Sequence, residues 1–531
     1  MKMKAIFVVV LLIVLSIVSC QKSGNDGVAS SISGFTSSDP IYMVYDLSKP
    51  VTIYLYMLGD IPADLNDVIT EANEKYFKPI LNTTVEMQFL AWSDYEIKYP
   101  LILAGGDEVD IIYTSSWAFY DQESIKGSFL ELTDDFIAKW MPVTEKEQPV
   151  ASWLNVKIDG KIYCVPKMHQ NPTVKAWAIR RDLREKYGLP RLTDWDSLEN
   201  YLVTIAKKES GIRAYAAAGE NSELQDSYLG YKRILGTNYP VFFAWQGDEV
   251  WREPVPEELT FRYVTEWYTD FALKMAEFAS KGVWSKNVMN NTIPTRDAFL
   301  LGSSASLFWM ADVTFALGKT LEDSGLGTVE YYNITTDPDA PFGRPPLNGD
   351  CWAIAASSKN RERSALVIDL MKNNASLRNL LQGGIEGRHY MAQDNDRFTP
   401  GPEAEDYPFN CWAWALNHPE TLKAAIDPGM HDDQKAIIAN IESRDMIDTY
   451  VSLFRFDIVP VATEWAVISS LIEEYTASFE CGIFGDQTKT KLEEFHAKLE
   501  AAGLDKLTDE FRGQYAAYIE SYQDIGGERH D

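Results

Sequence analysis

Between Val51 and Tyr113 the chain alternates between two hydrophobic periods, and no other stretch restricts its fold so strongly. Val51, Ile53, Leu55 and Met57 recur every second residue, the period of a strand with one buried face. Gly59-Asp60 reads as a turn. Pro62 marks the start of a helix whose apolar stripe runs through Leu65, Val68, Ile69, Ala72 and Tyr76. Val85, Met87 and Phe89 alternate in a second strand. Asp94 to Ala104 has a helical pattern that stops at Gly105-Gly106, and Val109 to Tyr113 is a third, mostly apolar strand. Strands and helices in this order predict a parallel sheet flanked by helices, because parallel strands need long crossover connections. Ligands of such sheets sit beyond the carboxyl ends of the strands. Here those ends are Gly59-Asp60, Ala91-Trp92-Ser93 and Thr114 to Trp117, so Asp60, Trp92 and Trp117 are candidate ligand contacts.

The stretch ahead of the sheet carries an address. Lys2 and Lys4 precede an unbroken apolar run from Ala5 to Leu15, and Ile17-Val18-Ser19-Cys20 follows. This is the pattern of a secretory signal, too short for a membrane span, which needs ~20 apolar residues. Its end resembles a bacterial lipobox. That predicts a signal peptide over 1–19 and a lipidated Cys20 as the membrane anchor. An ordinary signal with a chance cysteine is the simpler alternative. Residues 20–50 hold the anchor and a tether. Gln21 to Asp39 is rich in Ser, Gly and Asp, and about 20 such residues give a typical reach of roughly 25 Å.

At 531 residues the chain is expected to form at least two domains, because single cores stop growing well below that size. A net charge of -29 argues against nucleic acid as a partner. HExxH, GxSxG, P-loop, GxGxxG and C-x-x-C motifs are missing, and the six histidines have no zinc-ligand spacing, so no cofactor or metal is expected. Cys164, Cys351, Cys411 and Cys481 can pair in three ways or stay reduced, and spacing does not choose.

Further along, Asp159 to Pro166 and Val174 to Arg180 read as strands, and Arg181 to Leu189 opens a helix. Thr193 is a predicted N-cap for the stripe Leu198, Tyr201, Leu202 and Ile205. Three C-terminal stripes are helical: Trp465 to Phe479, Leu492 to Ala502 stopped by Gly503, and Leu507 to Tyr518.

The order of these pieces carries a resemblance. Lipobox, polar leash and early sheet lead to DGKIYCVPKMHQNPTVKAWAIRRDLREKYGL and LTDWDSLENYLVTIAKKES. DAFLLGSSASLFWMAD and PLNGDCWAIAASSKNRERSALVIDLM come later. Together they resemble the family 1 extracellular solute-binding lipoproteins of bacterial ABC importers. GIEGRHY and KLEAAGLDKLTDEFRGQYAAYIE are similar to the LipO-like branch with its C-terminal DUF3502-type region, here about 380–531.

The resemblance implies an α/β, two-lobed, type II periplasmic-binding-protein-like fold. Its hinge is crossed about three times, and its C-terminal region is helical. Lobe one is then expected at 51–165 plus 310–352, lobe two at 166–309 plus 353–485, and C-terminal helices at 486–531. Crossings are expected near Val165 to Ala178, Ala305 to Trp309 and Asp350 to Ile354.

The implied function is a non-enzymatic receptor, monomeric and extracytoplasmic. It would bind a carbohydrate, an oligosaccharide by preference, between its lobes and deliver it to the transmembrane subunits of an ABC permease. A two-carboxylate glycosidase and a ligand-presenting sensor are the alternatives. Sugars need flat apolar surfaces for their C–H faces and planar polar groups for their hydroxyl rims. Trp309, Asn348, Asp350 and Trp352, at the implied crossings, therefore join the candidates. So do Glu386, Arg388 and Tyr390, in a Gly-flanked loop. Asp60 could instead cap the helix after Pro62, and Arg388 could pair with Glu386 or a second-lobe carboxylate. Trp412 and Trp414 could face the ligand from lobe two.

Overall fold

The alternation from Val51 to Tyr113 becomes a parallel sheet. Strand Val51–Leu58 lies between Thr83–Leu90 and Ile111–Thr114, parallel to both. Ile53, Leu55 and Met57 are fully buried, as the two-residue period requires. Cys351–Ile354 adds antiparallel to Ile111–Thr114, and Val165–Pro166 adds antiparallel to Cys351–Ile354, completing five strands. The computed structural model describes residues 35–524 apart from 106–107, 170–173, 220–221, 238–240, 247–252, 335–341, 344–345, 394–396, 405, 408, 410, 412–414, 425–428, 445, 448–450 and 452–453. The signal, Cys20, most of the tether, Trp412 and Trp414 lie outside the described residues.

Local chemistry shifts several boundaries. The helix expected from Pro62 begins at Leu65, and its N-cap position is Asp64, so Asp60 does not cap it. Asp159 to Pro166 is not one strand. Asp159 and Gly160 take positive φ of 49° and 73°, which turns Lys157–Ile158 back on Lys161–Ile162 as a hairpin. Only Val165–Pro166 reaches the large sheet. Asp194, not Thr193, caps the next helix, accepting from the Ser197 amide at 2.8 Å.

A second core forms around an antiparallel sheet in the order Ser306–Met310, Lys175–Arg180, Val329–Tyr332. The C-terminal helices Ala462–Glu480, Thr488–Ala501 and Leu504–Asp524 pack on this side. Their stripes, including Phe479, Phe495 and Phe511, are buried in the same core as Trp177 and Phe271. Gly503 stands where φ is 93° and a Cβ would lie 2.8 Å from the Glu464 side chain, so two of the helices meet at a position only glycine suits.

The partition between lobes differs from the one implied by resemblance. Ala311–Asp323 and Val329–Tyr332 belong with the second lobe, because Val329–Tyr332 is hydrogen-bonded to Lys175–Arg180 and Phe315 and Leu321 are buried beside it. Residues 353–416 belong largely with the first. Leu366 and Leu370 of helix Arg361–Asn373, and Leu377 and Leu381 of helix Ala375–Gly383, fill the first core. The chain thus crosses between cores in the intervals 166–175, 334–347 and 416–432. Ala305 to Trp309 is not a crossing: Ala305 is buried in the second core and the rest lies in strand Ser306–Met310.

The four described cysteines are buried and form no disulfide. No helix among the described residues is long and apolar enough to cross a membrane.

Candidate functional site

The ends of the parallel strands build an aromatic wall. Leu58 is in register with Leu90, so Asp60 and Trp92 leave neighbouring strands at the same level. Asp60 is exposed there. Trp92 and Trp117 lie ring to ring at 6.2 Å and remain 42% and 37% exposed, leaving broad aromatic surface open to solvent. Tyr95 meets Trp92 edge-on at 5.7 Å, and Tyr113 lies 6.0 Å from Trp117.

The Trp117 indole is fixed by donating to the Gly349 carbonyl at 2.9 Å, which also accepts from Ser115 Oγ at 2.8 Å. Asn348 is buried. Its carbonyl accepts from Ser116 N at 2.9 Å, and its side chain donates to Asn155 O at 3.0 Å. It supports the Trp117 loop from behind.

Asp350 is the electrostatic centre of this wall. It accepts from Tyr113 Oη at 2.7 Å and from Lys167 Nζ at 2.5 Å. The Lys167 side chain is only 5% exposed, so Asp350 neutralises a buried cation. Burial, reinforced by Asp350, raises the Tyr113 pKa well above that of a free phenol and keeps it a donor.

Trp309 stands on the second core. It lies in strand Ser306–Met310 beside Ala176, with the Arg296 guanidinium 4.6 Å and the Lys175 ammonium 5.8 Å from its ring centroid. Burial opposes the charge of Lys175, but Asp226 and Glu223, at 2.7 and 2.6 Å, raise its pKa. Trp309, Phe308, Tyr215, Glu223, Asn291 and Arg296 line a cavity of about 330 Å³. Lys167 and Lys175 lie at the two ends of the first crossing. Eight residues span at most about 28 Å, so this crossing is a short link between the lobes.

The remaining candidates are placed elsewhere. Trp352 is fully buried with its ring 6.3 Å from Tyr113, because a central strand position points it into the first core. Arg388 is held by three first-lobe carboxylates: Asp64, Asp67 at 2.7 Å and Glu403 at 2.7 Å. Its partners are therefore neither Glu386 nor a second-lobe group. Glu386 is exposed in the same loop, and Tyr390 is buried against Phe398.

Sequence reasoning missed Lys167, Tyr113, Tyr215, Glu223 and Arg296. Lys167 left one trace, a lysine in the otherwise apolar Ile162 to Met168 run. Arg296 had none, since it lies in a loop-to-helix junction without periodicity.

Two lobes, each with its own sheet and its own core, make up the two-lobed solute-binding fold of type II. The profile of the bacterial extracellular solute-binding protein family matches residues 62–376, and the chain belongs to that family. A domain of unknown function, DUF3502, matches residues 451–520, narrower than the expected 380–531. A carbohydrate ABC transporter substrate-binding protein of Streptococcus pneumoniae is 22% identical over 487 residues, 89% of this chain and 92% of that protein. Among solved structures, the N-glycan transport solute-binding protein NgtS of the same organism has a TM-score of 0.65 at 19% identity, covering 89% of this chain and 99% of that one. The alginate-binding protein AlgQ2 has a TM-score of 0.65 at 15% identity, covering 88% and 98%.

Proposed function

We propose that this protein is an extracytoplasmic receptor that captures an oligosaccharide between its lobes and delivers it unmodified to an ABC permease. The observation that carries the reading is the pair of aromatic sites, exposed Trp92–Trp117 at the strand ends of the first lobe and Trp309 on the second-lobe sheet. Indole faces suit the C–H faces of sugars, and the polar groups around Trp309 suit hydroxyl rims. Capture is a population shift: a ligand that touches both walls favours the state in which they are close. Asp350 and Glu223 each hold a lysine, which favours binding over acid–base turnover. The S. pneumoniae relative's name, and the solved complex of NgtS with Man5GlcNAc, support an oligosaccharide as the ligand class.

Ligand contact is assigned to Trp92, Trp117 and Trp309, with Asp60 at the rim and Asn348 and Asp350 behind. We further assign lipidation to Cys20, with the 20–50 segment as tether, and a monomeric working form. Cys20→Ser should move the protein from the detergent-rich to the aqueous phase on partitioning, whereas an unchanged distribution refutes the anchor.

A thermal-shift screen of mono- and oligosaccharides tests the function. Ligand at 100 times Kd adds about 2.7 kcal/mol. Roughly 490 residues at ~2 cal/mol/K each convert that to a rise of about 2–3 °C. Each stabilising sugar is then weighed by mass spectrometry. An intact sugar supports the receptor. A cleaved sugar refutes the non-enzymatic reading, and no shift with any sugar refutes the ligand class.

A further inference from the structure

Along residues 454–457, on the C-terminal side of the second core, burial alternates: Phe454 and Phe456 are buried, and Arg455 and Asp457 less so. Phe454 and Phe456 are buried against Phe511, at 5.3 and 5.0 Å. The Asp457 backbone exchanges hydrogen bonds with Gln514 at 2.8 and 2.9 Å. The segment is therefore anchored to helix Leu504–Asp524 on both sides of Arg455.

Arg455 points the other way, into the first lobe. Its guanidinium pairs with Asp121, donates to the Lys157 carbonyl and lies 5.7 Å from the Tyr120 ring centroid. The two charged side chains are 5% and 11% exposed. Tyr120 and Ile158 are part of the first core, whereas Phe454 and Phe456 are part of the second.

An exposed ion pair would be worth little, but a buried one is expensive to break, because removal of one partner strands the other charge. The socket is also well placed. Asp121 lies in helix Tyr120–Ile125, which starts three residues after Trp117. Tyr120 Oη donates to Val156 O at 2.5 Å and accepts from Tyr163 N at 3.3 Å, which ties it to the hairpin leading into the first crossing.

We propose that Arg455 is a peg by which the C-terminal region, the part matched as DUF3502, pins the two lobes together. It acts as a positioning residue, holding the Trp117 helix–loop and serving as a pivot beside the crossings. This inference does not depend on what ligand is bound.

Hydrogen exchange of the purified protein tests it, comparing wild type with Arg455→Met, Arg455→Lys and Asp121→Asn. Arg455→Met should speed exchange at least tenfold in 116–125 and 157–163, more than 290 residues away in sequence. Helices Ala462–Glu480 and Thr488–Ala501 should stay protected. Lysine keeps the charge but not the planar fork, so Arg455→Lys should recover only part of the protection. Asp121→Asn tests the contact from the other lobe, so it remains informative if Arg455→Met fails to fold. It should loosen 454–458, because coupling between two sites is reciprocal. Exchange changes confined to the mutated lobe in each variant would overturn the proposal.

Discussion

Asp350→Asn is the substitution whose outcome the geometry sets most tightly. Asparagine keeps the shape and can still accept from Tyr113, but it removes the charge that faces Lys167 Nζ at 2.5 Å. Lys167 is then a buried cation, 5% exposed, without a counter-charge. Breaking one side of a buried pair destabilises by ~3–5 kcal/mol. With an unfolding entropy of about 1 kcal/mol/K for ~490 residues, that is a fall in Tm of roughly 3–5 °C. Differential scanning calorimetry reads it directly. The companion variant Asp350→Asn/Lys167→Met removes both charges, and its Tm should return to within about 2 °C of wild type. A fall of under 1 °C for Asp350→Asn, or a double variant as unstable as the single one, would refute the assignment of Asp350 as the partner of Lys167.

Two further predictions concern pH. Lys372 is fully buried, with Nζ donating to the Pro166 carbonyl, and burial lowers its pKa from 10.5 to about 7. Between those values the unfolded chain holds a proton that the folded chain lacks, so this lysine makes stability rise with pH, by up to about 1.4 kcal/mol per unit. Denaturant titrations at pH 7.5 and 9.5 should show wild type gaining on Lys372→Met, and a constant difference contradicts the assignment. Burial, then Arg378, lowers His418 from 6.5 to about 4, so the protein should lose stability as pH falls between those values. His418→Gln should lose less over the same range, measured by Tm at pH 7 and pH 4.5, and an equal loss would contradict it.

What the sequence made legible followed from period. The two-residue alternation of Ile53, Leu55 and Met57 specified a strand and its buried face, and strand order then placed Asp60, Trp92 and Trp117 at one end of the sheet. The C-terminal stripes were equally plain, because a helix packed on one face repeats its apolar residues for several turns. Long-range pairing was not legible. Nothing local shows that Val329–Tyr332 pairs with Lys175–Arg180, or that Leu366 fills the first core, so lobe boundaries drawn by resemblance came out displaced. Trp352 shows the same limit: its neighbours Asp350 and Asn348 belong to the wall, while the pleat turns its own ring into the core. Arg388 misled for another reason. Its three carboxylate partners come from positions more than 300 residues upstream and 15 downstream, a convergence only the fold creates.

The central claim is that one ligand is held by both lobes at once. Isothermal titration with a sugar identified in the stability screen tests it most directly, comparing wild type with Trp117→Ala and Trp309→Ala. Each tryptophan is a large aromatic anchor, and truncation of such an anchor typically costs about 2 kcal/mol or more, roughly 30-fold in Kd. The account predicts a loss of this order for each variant, although the two residues stand on different cores. A sugar whose affinity depends on only one of the two walls, or on neither, would contradict it.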